Sequence, residues 1–402
     1  MKKLSSVSTT ENNPKWQACI SRQVPLYSRV NDIRTEFGRD YTRILHSTAY
    51  RRLKNKTQVF FSPQNDHICT RIEHVNHVES ISFTIADFLG LNTELTKAIS
   101  VGHDLGHAPF GHQGEKILSE IATRELGSTF WHERNGLFLV DNIELLEDNE
   151  RNRQNLDLTY AVRDGIISHC GEVDQNGIKP RKEAIDLSSY TKPNEYDPFT
   201  WEGCVVKIAD KISYVGRDIE DAISIGILDS EKLENLSNIL SSGKSEKINN
   251  TVIINKLIND LCQNSSIENG LSLSHEGFEM LNAIKDFNYQ NIYLSDRLAP
   301  SAKYFNLVIN EIYETLKKTY AGINTALEIQ VLGRYYPNIS KSFLDWISCY
   351  WDLTSRTDTN LENSVVYEIV HNQNNYFKAI LDYISGMTDK YAIDNYNEIV
   401  GF

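Results

Sequence analysis

Apolar residues spaced three and four positions apart recur through most of this chain, and that periodicity confines it to helices. The spacing runs over 71–89, 93–104, 132–147, 202–226, 300–319, 340–354 and 375–387, as it does where a helix buries one face. Alternation of the strand kind, with a tight-turn signal, is confined to candidates near 57–62 and 165–187. The expected fold is all-α: a helical core with an additional helical region towards the C-terminus. Asn92 and Ser301 are expected as helix N-caps. The stretch 171–200, rich in Pro, Asp, Lys and Gly, reads as a long loop or lid. Residues 235–275, rich in Ser and Asn, read as a surface excursion with one helix inside. A boundary near 230 divides a motif-rich part from a motif-poor one. The expected division is a polar, frayed tail at 1–30, a catalytic domain at 31–230 and a helical region at 231–402 that completes the pocket and supports self-association.

The 402 residues suffice for one large core or for a domain with an appendage. No apolar run approaches the ~20 residues a membrane helix needs. The chain opens with Lys2 and Lys3 but no apolar stretch follows, so the opening does not read as a secretory signal. Six scattered cysteines, Cys19, Cys69, Cys170, Cys204, Cys262 and Cys349, form no C-x-x-C pair and read as reduced thiols of a cytoplasmic protein. A formal net charge of −13 argues against a general nucleic-acid binder. A small polyanionic substrate stays open, since only its pocket must be basic.

Seven of the eleven histidines fall between His67 and His132. A lone histidine is more often a surface or core residue than a ligand; here the cluster carries the signal. Its sharpest part is Gly102-His103-Asp104-Leu105-Gly106-His107-Ala108-Pro109-Phe110-Gly111-His112-Gln113-Gly114-Glu115. An apolar helix runs into His103 and Asp104, an adjacent imidazole and carboxylate that can share one cation. Glycines then break the helix, let the backbone approach a ligand, and display His107, His112 and Glu115. His74, at the start of an upstream helix, is a further ligand candidate, and Asp210 offers the missing acid. Asp210, Tyr214, Arg217, Asp218 and Asp221 share one helical face. Taken alone, such a face is more often a solvated charged stripe.

These residues resemble a known family. His74, His103-Asp104 and Asp210 look like the H…HD…D signature of HD-domain phosphohydrolases. GHDLGHAPFGHQGE (102–115), DYTRILHSTAYRRLKNKTQVF (40–60) and KIADKISYVGRDIEDAISIGIL (207–228) resemble blocks of the deoxyguanosinetriphosphate triphosphohydrolase family within it. DFNYQNIYLSDRL (286–298) and DYISGMTDKYA (382–392) resemble later motifs more loosely. The resemblance implies hydrolysis of deoxynucleoside triphosphates to deoxynucleoside and inorganic triphosphate. It implies one divalent cation, Mg²⁺ or Mn²⁺ or another transition metal, on His74, His103, Asp104 and Asp210. His112 and Glu115 would form the catalytic pair, with His107 and His132 beside the phosphates. Arg71 and Lys211 would neutralise triphosphate charge. Gln58 and Asp218 would bond the sugar 3′-hydroxyl, and Tyr214 would pack where a 2′-hydroxyl would otherwise go. Arg52, in the basic run 51–56, is a further substrate candidate.

The same cage would serve another HD phosphohydrolase, a nucleotidase or phosphodiesterase, or a catalytically silent nucleotide sensor. The resemblance further implies a homo-oligomer, hexamers being frequent, and a dNTP as a candidate allosteric activator. Trp346, Tyr350 and Trp351 suit either subunit contact or core. His46, His67, His77, His169, His275 and His371 read as structural or surface residues.

Overall fold

Helices carry the fold: among the described residues, seventeen α-helices stand against one hairpin of two three-residue strands, so the expected all-α class holds. The computed structural model describes residues 2–26, 32–61, 65, 67–170, 175–240, 250–354 and 360–401, with side chains left aside at 238–240. Parts of the expected loop at 171–200, of the excursion at 235–275 and of the strand candidate at 57–62 lie outside these residues. No helix among the described residues is long and apolar enough to cross a membrane.

The chain forms two compact units interleaved in sequence. The first comprises Met1–Thr42, Ser62–Asp104 and Leu158–Pro300; the second comprises Arg43–Phe61, Leu105–Asp157 and Ser301–Phe402.

In the first unit, the helix Trp201–Ser224 is buried on nearly every side, as expected of a central element. The helices Arg71–Leu89, Thr93–Gly102, Tyr160–Ser168, Asn250–Asn264 and His275–Asn288 pack against it. Asn92 caps the second of these as expected, its side chain accepting from Glu94 N and Leu95 N. Gly90, at φ 86°, ends the first, the left-handed C-terminal turn that glycine adopts most easily. The segment read as a frayed tail is folded over residues 2–20. Leu4 is fully buried. Buried Glu202 accepts from Thr9 N at 2.9 Å, Thr9 Oγ1 at 2.7 Å and Asn92 N at 2.9 Å. Hydrogen bonds to a carboxylate inside the core hold a polar segment that periodicity cannot reveal. The strand candidates form no strand among the described residues. Residues 160–168 are helical, and Ile178 meets Leu271 in an isolated bridge.

The second unit has its own core, in which Phe110, Ile117, Leu118, Phe305, Ile312, Phe343, Tyr376 and Ile380 are buried. Tyr350 and Trp351 belong to this core and Trp346 packs against it. The helix expected over 132–147 stops at Phe138, passes through a wide turn at Leu139–Ile143, and continues as the hairpin Leu145–Glu147 with Arg153–Asn155. Glu144 explains the break. Its buried carboxylate accepts from Thr48 N at 2.7 Å and from Arg52 at 2.9 Å, capping another helix. The helix expected to begin at Ser301 begins at Ala299, because Pro300 is tolerated in a first turn.

Candidate active site

In the first unit, three helices bring four side chains together. Thr70 and Glu73 form a capping box that starts the helix Arg71–Leu89, which sets Arg71 and His74 one turn apart on one face. Asp221 fixes the preceding residue by accepting Cys69 N at 3.0 Å. The helix Thr93–Gly102 ends at His103, its C-cap, with Asp104 next. Asp210 lies midway along Trp201–Ser224.

His74 Nε2 is 3.0 Å from Asp210 Oδ1 and 3.7 Å from Asp104 Oδ2. His103 Nε2 is 3.6 Å from Asp104 Oδ1 and 3.9 Å from Asp210 Oδ1. Ligands ~2.0–2.2 Å from one cation lie about 3 to 3.6 Å from each other, so this spacing suits a shared ion. His103 gives the sharper test of fit. Its Nδ1 lies 2.6 Å from the Ser100 carbonyl, so Nδ1 carries the proton. Its Nε2 is buried without a hydrogen-bond partner, a costly state for a polar atom that a cation relieves. The expected ligand residues therefore fit one divalent cation.

Charge agrees with this. Burial would drive the His74 proton off, yet the bond to Asp210 and the charges of Asp104 and Asp210 outweigh it and raise the His74 pKa. Burial likewise opposes ionisation of Asp210, but His74 and His103 hold its pKa down to about 2. Arg71 is buried and donates to Asp104 Oδ2 at 2.9 Å, so one guanidinium is already engaged with a cage residue.

Beyond Asp210, the shared face divides. Lys211 is buried and Tyr214 half-buried. Arg217 pairs with Asp221 at 3.5 Å. Asp218 is buried and accepts from the Tyr293 hydroxyl; burial raises its pKa to about 6. The face is thus largely desolvated, not a solvated stripe.

The second unit gathers the other three expected site histidines. His107 and His132 stack at 3.8 Å between ring centroids, 19° from parallel, with His112 5.5 Å from His107. Glu115 accepts from His132 N at 2.9 Å and lies 3.0 Å from His132 Nδ1, against 3.5 Å from His112 Nδ1. Glu115 therefore engages His132 more closely than its expected partner His112. Burial would raise the Glu115 pKa, but His132, His112 and His107 prevail and hold it well below the usual range. The His112 side chain is 59% exposed.

The connecting loop is tightly held. Phe110 sits at φ 63°, a left-handed conformation that costs a side-chain-bearing residue. Asp389 Oδ1 accepts its N–H at 2.8 Å, and Asp389 Oδ2 accepts Thr57 N at 2.8 Å. Buried Lys56 donates to the carbonyls of His107 and Ser385. Gly106 has its own constraint: a Cβ there would lie 2.0 Å from the His132 carbonyl. The space its missing side chain leaves is thus taken by backbone of this unit. Gln58, next to Thr57, is buried. Arg52 pairs with Glu144 at 2.9 Å and bonds Thr48 at 3.0 Å, so its charge is committed within its own unit.

Three residues outside the expected set take part. Tyr293 bonds Asp218, Asp389 bridges two site segments, and His169 lies against His103 with ring centroids 4.9 Å apart. Tyr293 and Asp389 lie in the two later blocks that resemble family motifs, but their roles, like that of His169, depend on partners far away in sequence.

Known proteins are similar to this chain over most of its length. The HD domain model matches residues 71–215, and the phosphohydrolase-associated domain model matches residues 343–398. Proteins named deoxyguanosinetriphosphate triphosphohydrolase-like are similar over nearly the whole chain. One from Caldanaerobacter subterraneus subsp. tengcongensis is 33% identical over 369 residues, covering 92% of this chain and 86% of its own length. One from Clostridium perfringens is 32% identical over 370 residues, covering 92% and 88%. One from Rickettsia prowazekii is 30% identical over 397 residues, covering 94% of each.

Proposed function

The chain belongs to the deoxyguanosinetriphosphate triphosphohydrolase-like family of metal-dependent HD-domain phosphohydrolases, and from that premise we propose that it hydrolyses deoxynucleoside triphosphates to deoxynucleoside and inorganic triphosphate. The observation that carries this reading is the approach of His74, His103 and Asp210 donor atoms to within 4.8 Å of one another, with Asp104 beside them. A divalent cation bound there screens phosphate oxygens and lowers the pKa of water.

The chain's own residues supply the rest. Arg71 and Lys211 offset the triphosphate charge from a buried position, where each charge counts for more than in water. Glu115, anionic at neutral pH, orients the imidazoles of His132 and His112. Attack at the α-phosphorus expels the 5′-oxygen, a poor leaving group that needs a proton. His112, turned by Glu115 at Nδ1, can deliver one from Nε2. His107 and His132, stacked, offer further donors to phosphate oxygens. Gln58 and Asp218 would receive the 3′-hydroxyl and Tyr214 would crowd a 2′-hydroxyl. Arg52 is the weakest member of the set, given its pairing with Glu144.

The test is product identity. Metal-loaded protein is incubated with each dNTP, singly and mixed, with Mg²⁺ or Mn²⁺, and products are separated by ion exchange. Equal amounts of deoxynucleoside and triphosphate are expected. Mixtures test for an activating dNTP, and light scattering of the same sample tests for the expected homo-oligomer. Deoxynucleoside monophosphate with pyrophosphate, or orthophosphate alone, would indicate another HD phosphohydrolase. No turnover of any dNTP would indicate a silent sensor.

A further inference from the structure

We propose that His169 is a fifth protein donor of the cation site, reaching it from the Asp104 side. The inference rests on the reading of His74, His103, Asp104 and Asp210 as a metal cage and adds a residue to it.

The helix Tyr160–Ser168 is buried at every position after Tyr160. Gly165 lets it lie close to the helix Thr93–Gly102, since a Cβ there would fall 2.6 Å from Ile99. Each of these two helices ends with a histidine as its C-cap, His103 and His169. Both imidazoles are then fixed by the same device. His103 Nδ1 is 2.6 Å from the carbonyl three residues back, Ser100, and His169 Nδ1 is 2.6 Å from the carbonyl three residues back, Ile166. A carbonyl only accepts, so Nδ1 carries the proton in both rings. That tautomer leaves the lone pair on Nε2, the arrangement in which metal-binding histidines are usually held.

Position adds to this. A ring nitrogen of His169 lies within 4.8 Å of donor atoms of both His103 and Asp104. This triad shares His103 with the triad His74, His103 and Asp210. His169 is 1% exposed, so the imidazole was brought into the interior beside the cage, not left at its rim. Three imidazoles and two carboxylates would then serve the ion. Imidazole suits first-row transition metals, whereas Mg²⁺ favours oxygen. The site should therefore prefer Mn²⁺ or Co²⁺ to Mg²⁺, and His169 should be part of the reason.

The experiment measures metal binding by the chelator-stripped full-length chain, without nucleotide. Wild type, His169→Ala, His169→Gln and Asp210→Ala are titrated with Mn²⁺, Co²⁺ and Mg²⁺ by calorimetry, and the visible bands of bound Co²⁺ are recorded. His169→Ala should weaken Mn²⁺ and Co²⁺ binding by roughly 10–100-fold, weaken Mg²⁺ binding less, and shift the Co²⁺ bands. His169→Gln, which keeps bulk and offers an oxygen, should lose less affinity for Mg²⁺ than for Co²⁺. Circular dichroism of the stripped proteins identifies folded variants, and His169→Gln decides if His169→Ala does not fold. Wild-type affinities and Co²⁺ bands in the folded His169 variants would overturn the proposal. Asp210→Ala separates the two readings: wild-type binding there removes the cage itself, whereas wild-type binding in the His169 variants alone removes only the fifth donor.

Discussion

At the scale of single residues, the account turns on three protonation states. Glu115 is held well below the usual carboxylate range by His132, His112 and His107 against the opposing effect of burial. Replacing it by Gln removes the anion that orients two imidazoles, so kcat should fall by ~10²–10⁴-fold. The affinity for Mn²⁺ in a calorimetric titration should stay unchanged, because Glu115 is not a cage residue.

His74 has a raised pKa, so without metal the site keeps a proton to higher pH than a free imidazole would, and a cation must displace it. Cation affinity should therefore fall as pH is lowered from 8 to 6. Titrations in buffers of different ionisation enthalpy should show proton release on binding; none would contradict the pairing of His74 with Asp210.

Asp218 is the reverse case, a carboxyl whose folded pKa, pushed up to about 6 by burial, exceeds its usual 3.8. Between those values the folded state binds more protons than the unfolded state, so stability falls as pH rises through the window. The shift corresponds to roughly 3 kcal/mol. Urea melts at pH 4 and pH 7 should show wild type losing about that much relative to Asp218→Asn. The variant should also discriminate less between dNTPs and their 3′-deoxy analogues. Gains in stability at a cost in function are common where a site holds an ill-solvated charge.

At the scale of elements, what the sequence made legible was whatever depends on near neighbours. Period 3.6 marked the helices Arg71–Leu89, Trp201–Ser224 and Gln373–Ser385 closely, and Asn92 announced its own cap. The break after Phe138 was hidden because Glu144 serves a helix almost a hundred residues earlier. His169 was hidden because the residues before it, AVRDGIIS, pack on all sides and show no amphipathic stripe. The held loop at 106–111 was half legible: its glycines and proline announced a break, but the clamp is Asp389, 279 residues further on. Replacing Asp389 by Ala leaves two amide N–H groups, those of Phe110 and Thr57, without their acceptor. Each should cost ~1–3 kcal/mol, read as a lowered urea midpoint. Because His112 and Gln58 follow those two amides closely, kcat should drop along with stability. A variant as stable and active as wild type would show that the clamp is dispensable. Gly106→Ala should be worse tolerated than Gly127→Ala. A Cβ at Gly106 would meet backbone of the His132–Phe138 helix, whereas nothing lies within 4 Å of one at Gly127.

At the scale of the whole molecule, linear order conceals the architecture. The sequence suggests a catalytic part to about residue 230 and a helical part after it, whereas the structure forms two units that each draw on three separate stretches. Every cage residue falls in the first unit. His107, His112, Glu115 and His132 fall in the second, whose C-terminal helices match the phosphohydrolase-associated domain. Asp389 and Ser385, both in that matched segment, bond the loop that carries these histidines through Phe110 and Lys56. The motif-poor end of the chain thus buttresses the motif-rich loop. The four residues that converge in the first unit were nameable from the sequence because the proposed cation site needs particular side chains, while the buttress needs only an acceptor in the right place.

The central claim is that hydrolysis depends on one cation held by His74, His103, Asp104 and Asp210. The most direct measurement is the release of inorganic triphosphate from a dNTP by chelator-stripped protein as Mn²⁺ is added, followed against metal bound per chain. The account predicts no release without metal, a rise in step with occupancy that levels off at one cation per chain, and none from Asp210→Ala. Triphosphate release from stripped protein, or at the wild-type rate from Asp210→Ala, would contradict it.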